Sequence, residues 1–334
     1  MPDAALMTLV VVIALGLLFD YINGFHDTAN AIATSVSTRA LRPAHAILMS
    51  ATANFVGALT GTAVAKTIAS GIATTPIGDD GQIVVAAALV GAIFWNLLTW
   101  RLGIPSSSSH ALIGGLIGAV IAASGSAALN GPGIVDKVLV PLVASPILGI
   151  VLGFGFMVVL LNVFRHAHPR LTNNRFRRLQ VLSAAYMAFS HGSNDAQKTM
   201  GIITLALVAG GVLAEPTVPL WVILMAASAI SLGTAAGGWR IIRTMGQRVV
   251  KLDPVHGFAA ETTAATIIIG ASQFGMPVST THVISSAIMG VGASDRFSAV
   301  RWGVAGNIVI AWILTIPASG VVAWLAWAVF AQVL

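Results

Sequence analysis

The sequence has few charged residues and no cysteine. Charged residues make up 8% of the 334 residues and hydrophobic residues make up 57%, whereas a soluble domain carries roughly 25% charged residues. So few charges could not cover the surface of a soluble protein of this length. The lack of cysteine excludes a disulfide framework and a thiolate metal site within the chain. The composition therefore predicts an integral membrane protein.

Several apolar runs approach the 20 residues that are needed to cross a hydrocarbon core. They cover residues 44–65, 83–100, 138–164 and 302–330. A further run, residues 4–19, has no basic segment before it and leads directly into polar residues, so we interpret it as a retained helix and not as a signal peptide. We expect an all-α polytopic membrane protein.

The positive charges lie in a few clusters. Fourteen of the 17 Lys and Arg residues belong to five of them: Arg39 and Arg42; Arg101; Arg165, Arg170, Arg175, Arg177 and Arg178; Arg240, Arg243, Arg248 and Lys251; Arg296 and Arg301. All five lie on the inner side if five crossings precede Arg165, five follow Arg178 and both termini are outside, which satisfies the positive-inside rule. This pattern predicts a multi-pass protein of the inner (plasma) membrane with a cytoplasmic segment at 165–178. Nucleic-acid binding is not expected, since that segment has one aromatic residue and no soluble domain beside it.

The two halves of the chain resemble each other. Residues 24–27 match 192–195, residues 47–49 match 223–225, and residues 105–110 match 277–282, with offsets of 168, 176 and 172 residues. We therefore predict a first transmembrane repeat at 1–164, a basic linker at 165–178 and a second repeat at 179–334.

Five crossings in each half give the second repeat the opposite orientation in the membrane. Inverted repeats are typical of secondary transporters, whose site lies near the midplane between discontinuous helices. We therefore expect broken helices or half-helices that meet at the midplane.

Ionisable residues interrupt the apolar runs. Asp20, Asp27, Asp195, Lys198 and Glu261 would together cost on the order of 10 kcal/mol if they faced lipid unpaired. We expect them to face a cavity or each other, where the carboxylates can bind a cation or accept a proton. Glycines beside them would allow the helices to break there.

Hydroxyl side chains follow a proline in each half. They are Ser106, Ser107, Ser108 and Ser109 after Pro105, and Ser279, Thr280 and Thr281 after Pro277. Proline suits the first turn of a helix and Ser or Thr suits its cap, so each run can begin a half-helix. The free N–H groups and the hydroxyls would then form a site for a tetrahedral oxyanion.

Four of the eight histidines lie in these motifs. They are His26, His110, His191 and His282. They could relay protons near neutral pH or serve only as hydrogen-bonding struts, and the sequence leaves both roles open.

These motifs resemble those of the inorganic phosphate transporter (PiT) family, and within it the bacterial low-affinity Pit permeases. The resemblance rests on residues 23–31 (NGFHDTANA), 104–110 (IPSSSSH), 189–198 (FSHGSNDAQK) and 275–282 (GMPVSTTH), and it extends over nearly the whole chain. The central segment is often much longer in members of the family.

The resemblance implies a symporter for inorganic phosphate driven by sodium or protons, with no cofactor and no structural metal. It implies that Asp27, Asn30, Asn194 and Asp195, together with Ser107 to Ser109 and Ser279 to Thr281, surround phosphate and the coupling cations. Glu261 matches a family carboxylate, and Asn54 is expected to occupy the corresponding place in the first half.

One position departs from the family pattern. Sodium-coupled members keep an Asp-x-x-Asn pattern in both halves, whereas this chain has Asp27 and Asn30 in the first half but Asp195 and Lys198 in the second. An ammonium group can take the place of a monovalent cation. We therefore hypothesise coupling to protons, with phosphate carried either alone or as a neutral complex with a divalent metal.

Other interpretations stay open at this stage. Sulfate has the same shape as phosphate, and the Ser/Thr runs do not distinguish the two.

A Ser/His/Asp enzyme is disfavoured, because neither a G-x-S-x-G nor an H-E-x-x-H motif is present. A passive channel would differ from a symporter in the response of its flux to a cation gradient. Glycine pairs such as Gly57 and Gly61 favour contacts within one protomer and leave a homodimer open.

Overall fold

The computed structural model describes residues 4–74 and 76–333. In these residues the chain forms 13 α-helices, together with short 3₁₀ and π segments. The helices are α1 (Ala4–Ser37), α2 (Pro43–Ala58), α3 (Ala63–Ser70), α4 (Asp79–Leu102), α5 (Ser108–Ser124), α6 (Gly131–Ile134), α7 (Val140–Val163), α8 (Pro169–Ala209), α9 (Leu220–Ala236), α10 (Trp239–Arg243), α11 (Pro254–Gln273), α12 (Thr280–Asp295) and α13 (Trp302–Val333). The predicted all-α architecture is confirmed.

Four helical stretches are long and apolar enough to cross a membrane. They are Leu6–Ser37, Asp79–Leu102, Gly131–Val163 and Trp302–Gln332. Two bent pairs, α2 with α3 and α9 with α10, raise the number to six if each pair is one span. The apolar run at 44–65 falls within the first bent pair, in which the chain turns by 70° between α2 and α3. Five crossings in each half stay a prediction, and the termini (residues 1–3 and 334) lie outside the described residues.

The two helices that carry the acidic motifs are continuous. We expected Gly24 and Gly192 to break them, but α1 and α8 run through both motifs without interruption. A Cβ at Gly24 would collide with the carbonyl oxygen of Ile230, and one at Gly192 with that of Asn54. These glycines therefore allow close helix contacts instead of a break, as small residues do in membrane interiors.

The basic segment is largely helical. Helix α8 begins at Pro169 and continues for 41 residues, so most of the expected linker forms the first turns of the helix that carries the second motif. Arg175, Arg177 and Arg178 are exposed on it.

Helices of each half of the chain pack on helices of the other half. Helix α1 packs on α9 as α8 packs on α2, and α5 packs on α13 as α12 packs on α7. Close glycine contacts occur in the same helix pairs: Gly57 on α2 faces the Phe189 carbonyl on α8, and Gly233 on α9 faces the Tyr21 carbonyl on α1. The acidic helices α1 and α8 and the N-termini of α5 and α12 are thereby brought to the interior.

Candidate functional site

The two motif aspartates face each other across α1 and α8. His191 Nε2 lies 3.2 Å from Asp195 Oδ2 and 4.0 Å from Asp27 Oδ2. His26 Nδ1 lies 2.6 Å from Asp27 Oδ1, and its Nε2 is 3.1 Å from Thr99 Oγ1. The carboxylates and both rings are fully buried, so histidine bridges the acidic residues of the two halves.

Lys198 lies buried beside Asp195. Its ammonium group donates to Asp195 Oδ1, to Ser109 Oγ and, at 3.0 Å, to the Val278 carbonyl oxygen. A carboxylate, a hydroxyl and a carbonyl oxygen are also the ligand types that hard cations prefer. The ammonium group thus occupies a position whose oxygen ligands resemble those of a cation-binding site.

The hydroxyl runs begin α5 and α12 as predicted, although the prolines do not enter the helices. Ser107 and Ser279 are the N-caps, and their hydroxyls accept the backbone N–H of His110 and His282 at 3.1 and 3.2 Å. Pro105 and Pro277 each lie two residues before a cap, and each serine cap satisfies one of the free N–H groups of the first helical turn. Both helices therefore begin inside the protein with positive dipole ends.

The N-termini of these helices reach the acidic helices. Thr280 Oγ1 donates to Asp195 Oδ2 at 3.1 Å, and Thr281 Oγ1 donates to Asp27 Oδ1 at 3.4 Å. The Asn30 amide donates to both threonine hydroxyls, at 3.2 and 2.9 Å. We define the central cluster by the following residues: Asp27, Asn30, Ser109, His191, Asp195, Lys198, Thr280 and Thr281.

Several acceptors at the edge of this cluster have no hydrogen-bond partner among the described residues. They are Asn30 Oδ1, Ser108 Oγ and Asn194 Oδ1. Asn194 donates instead to Ser272 Oγ at 2.8 Å and to the Met276 carbonyl at 3.4 Å. Buried polar atoms are rarely left unpaired, so these oxygens are available to a bound ligand.

Glu261 lies outside the central cluster. It accepts hydrogen bonds from Thr34 and Ser183 and, at 3.2 Å, from Gln180. Asn54 lies instead on α2, where it donates to Thr234 at 2.8 Å and its Oδ1 is 3.1 Å from His191 Nδ1. Asn54 thus lies on α2 and Glu261 on α11, and their expected correspondence stays a prediction.

His110 and His282 contact each other. Their ring centroids are 4.8 Å apart, and His282 stacks on Trp312 at 4.0 Å. Among the described residues, no hydrogen bond joins either ring to a carboxylate, and both ring nitrogens of His282 are unpartnered. Of the four motif histidines, only His26 and His191 reach an aspartate among the described residues, and the choice between proton relay and strut stays a prediction.

One group of side chains has the spacing of a metal site. Ligand atoms of Asp27, His191 and Asp195 lie within 4.8 Å of one another, and all three residues are buried. Carboxylate and imidazole ligands suit divalent transition metals. The spacing of these three side chains therefore fits a divalent metal ion.

Sequence reasoning missed the partners that hold the candidate site together. Gln180, Ser183 and Thr34 surround Glu261, and the Val278 carbonyl binds Lys198. No local pattern distinguishes such residues from other buried polar side chains, because their partners are distant in the sequence.

A second ionic group lies at the N-terminus of α11. Asp253 caps this helix, and its carboxylate is 2.7 Å from His256 Nδ1, while His256 Nε2 is 2.9 Å from Asp295. Partial burial raises the pKa of the Asp253 carboxyl, but the hydrogen bond and charge of His256 outweigh it and hold that pKa below its usual range. The group therefore favours the ionised acid.

Comparisons with known proteins agree with this geometry. A solved structure described as "The sodium-dependent phosphate transporter" superposes with a TM-score of 0.90 at 26% identity, covering 98% of this chain and 100% of that one. Proteins described as probable low-affinity inorganic phosphate transporters are 49% identical in Bacillus subtilis (strain 168), over 97% of this chain and 98% of theirs, and 48% identical in Rhizobium meliloti (strain 1021), over 96% and 95%.

The family model described as "Phosphate transporter family" matches residues 23–323, which include all four sequence motifs. The expected resemblance is confirmed, and the interpretation as a transporter and not an enzyme is confirmed with it. Together, the shared fold, the near-complete coverage by relatives and the two acidic motif helices identify this multi-pass membrane protein as a member of the phosphate transporter family.

Proposed function

We propose that the protein is a secondary active symporter that takes up inorganic phosphate together with a coupling cation by alternating access. One observation carries this proposal: in a buried cluster, the N-terminus of α12 meets both motif aspartates and the N-terminus of α5 meets Lys198. Helix N-termini bind oxyanions through free N–H groups and a positive dipole end. Ser107, Ser108, Ser109, Ser279, Thr280 and Thr281 supply further hydroxyls at these ends.

The charges of the central cluster require a coupling cation. Asp27 and Asp195 bring two negative charges, and Lys198 brings one fixed positive charge. A phosphate anion entering this buried site would add negative charge where the cost of unpaired charge is high. Cations or protons that bind together with phosphate remove this cost, which makes their transport obligatory.

Lys198 favours protons as the coupling ion. Its ammonium already occupies the oxygen ligands offered by Asp195, Ser109 and Val278, so a sodium ion cannot bind there. The first half keeps an amide at the equivalent position, Asn30. The solved relative is described as sodium-dependent, and we propose that this chain differs from it in this respect.

Phosphate is favoured over sulfate by the acceptors near the site. A protonated phosphate carries O–H groups that can donate to the carboxylates of Asp27 and Asp195, whereas sulfate at neutral pH carries none. A neutral complex of phosphate with a divalent metal is a second form of the substrate, supported by the spacing of Asp27, His191 and Asp195.

Alternating access follows from two inverted repeats, 1–164 and 179–334, in our proposal. The exchanged packing of α1 on α9 and of α8 on α2 supports it, because a two-fold relation between the halves produces such pairs. The positive-inside rule supports an inner-membrane location with residues 165–178 in the cytoplasm and both termini outside. The glycine pairs leave a homodimer as one arrangement to test.

The proposal is tested with purified protein in liposomes. Uptake of labelled phosphate is measured under an inward proton gradient and, separately, under an inward sodium gradient, with excess unlabelled sulfate as competitor. We expect accumulation under the proton gradient that sulfate does not suppress.

Each other outcome revises a different part of the proposal. Accumulation under the sodium gradient alone would overturn proton coupling and keep phosphate as substrate. Strong suppression by sulfate would change the substrate to a different oxyanion. Phosphate flux that equilibrates without accumulating under either gradient would exclude symport and indicate a passive pathway.

A further inference from the structure

Asp20 is a buried carboxyl on α1, two turns before Asp27. Its side chain is fully buried, and neither carboxyl oxygen has a hydrogen-bond partner among the described residues. Asp20 is not a member of the central cluster. An ionised carboxylate in such a place is costly unless a cation or a proton accompanies it.

The other buried carboxylates each have partners that stabilise the charged form. Asp27 lies beside His26, and Asp195 binds both Lys198 and His191. Glu261 accepts from three donors, which are Thr34, Ser183 and Gln180. Among the described residues, Asp20 is thus the member of this set with no basic group at ion-pair distance and no well-formed hydrogen bond.

The nearest polar groups on α1 and α8 offer oxygen atoms to Asp20. Asn23 and Thr199 are its neighbours, and Asn23 Oδ1 and Thr199 Oγ1 are likewise buried without partners in the described part of the chain. A neutral carboxylic acid can donate to the Asn23 oxygen, and the Thr199 hydroxyl can pair with either form of the acid. Because no basic group at ion-pair distance offsets a buried carboxylate among the described residues, the surroundings suit the neutral acid.

Asp195 and His191, both on α8, are ionisable groups that face Asp20, and their charges act on it with opposite signs. Helix α9 has no ionisable residue, and those of α4 lie at its two ends. Helices α10 and α11 meet α1 farther along, at Phe25 and Thr34.

We propose that Asp20 binds the coupling proton of this transporter. The proposal rests on proton-coupled phosphate symport as proposed above and names the residue that carries the proton. Asp20 is the neutral acid while phosphate occupies the central cluster. When the site opens to the cytoplasm, the O–H bond of Asp20 breaks and the proton passes to water. The resulting carboxylate repels Asp195 and the bound anion, and phosphate leaves with the proton.

A comparison of the two halves of the sequence supports a single residue as carrier of the coupling proton. The position that matches Asp20 at the offset of 168 is Ala188, and the position that matches Asn30 is Lys198. The second half therefore has a fixed positive charge, and the first half has an additional group that can gain and lose a proton. In our proposal, these two differences between the halves, at Asp20 and at Lys198, give the protein one residue that carries a proton in place of a second sodium site.

The test compares Asp20→Asn, which imitates the neutral acid, with Asp80→Asn, which makes the same chemical change at an exposed residue of α4. Each protein in liposomes is assayed for phosphate exchange at equal pH and for accumulation under an inward proton gradient. A gradient of one pH unit supports about tenfold accumulation for each coupled proton. We expect Asp20→Asn to keep exchange and lose accumulation, whereas Asp80→Asn and the wild type retain both.

Contrary results are distinct from failure of the proposed function. If the wild type does not accumulate phosphate under a proton gradient, proton symport itself is wrong. If the wild type accumulates it and Asp20→Asn does so equally, Asp20 is not the proton carrier. Loss of exchange together with accumulation in Asp20→Asn would make Asp20 a structural residue and would also overturn the proposal.

A second variant guards against a failure of Asp20→Asn to fold. Asp20→Glu keeps a carboxyl whose ordinary pKa is about 0.4 units higher. We expect it to retain accumulation and to move the pH profile of phosphate exchange. Retained accumulation with an unchanged profile would contradict the proposal.

Discussion

The two acidic motif helices place an aspartate in the same setting and then differ one turn later. On α1, the residue after that turn is Asn30, whose amide donates to the hydroxyls of Thr280 and Thr281. On α8 it is Lys198, whose ammonium binds Asp195 directly. The same helical spacing thus places a neutral amide one turn after Asp27 and a fixed ammonium group one turn after Asp195.

The largest expected effect is on stability, from removal of the charge in each motif. Asp195→Asn leaves the Lys198 ammonium buried without its counterion, which costs about 3–5 kcal/mol. Asp27→Asn leaves only histidines, which can become neutral, so its loss of stability is smaller. Thermal unfolding of the detergent-purified variants measures the difference, and both are expected to lose phosphate transport.

A double variant isolates the cause of the larger loss. Replacing a buried ion pair by apolar residues is often neutral for stability, so Lys198→Met is expected to recover most of the loss in Asp195→Asn. Equal losses in the two single variants, or no recovery in the double variant, would show that Lys198 does not distinguish the halves.

The next effect concerns the coupling ion. Lys198→Asn restores the Asp-x-x-Asn pattern of the first half and frees the oxygens of Asp195, Ser109 and Val278. We expect phosphate uptake in liposomes to become dependent on sodium. The exposed Lys66, changed to Asn, is the matched control, and uptake by Lys198→Asn that stays insensitive to sodium would remove the support for a built-in cation.

A smaller effect tests whether the half-helices are equivalent. Ser107→Ala and Ser279→Ala each remove an N-cap hydrogen bond to a histidine N–H, which costs about 1 kcal/mol. The two losses are expected to be similar when thermal stability is measured in detergent. A large loss in one half and none in the other would show that the helix ends differ in more than sequence.

The smallest effect tests a feature confined to the second half, where Asp253 caps α11 beside His256. The N-cap of the matching helix α4 is Gly78, which has no side chain. Asp253→Asn keeps a capping residue but removes the charge, and since the carboxyl is half exposed the loss is below about 1 kcal/mol.

The sign of its pH dependence follows from the lowered pKa of Asp253. The stabilisation is present above the ordinary pKa of an aspartate and is lost as the pH falls through the lower pKa of the folded protein. Thermal unfolding of wild type and variant should therefore differ near neutral pH and converge in acid. A difference that persists at the lowest pH would exclude the charge as its cause.

Much of the candidate site was predictable because it is encoded in short motifs. Asp27, Asp195 and the hydroxyl runs stand out as polar residues in apolar surroundings, and the structure brings them together. The role of the glycines was not predictable in this way. Gly24 and Gly192 permit a helix break by their conformational freedom, yet the carbonyls of Ile230 and Asn54 need the space that a Cβ would fill.

The sequence by itself determined the membrane class and the identity of the acidic and hydroxyl motifs, because composition and motif spacing are properties of the chain alone. Tertiary structure decided which oxygens Lys198 binds, which histidines reach an aspartate, and that the Asp20 carboxyl forms no well-formed hydrogen bond within residues 4–74 and 76–333. These depend on contacts between helices far apart in the sequence, where a shift of one turn changes every neighbour of a buried charge.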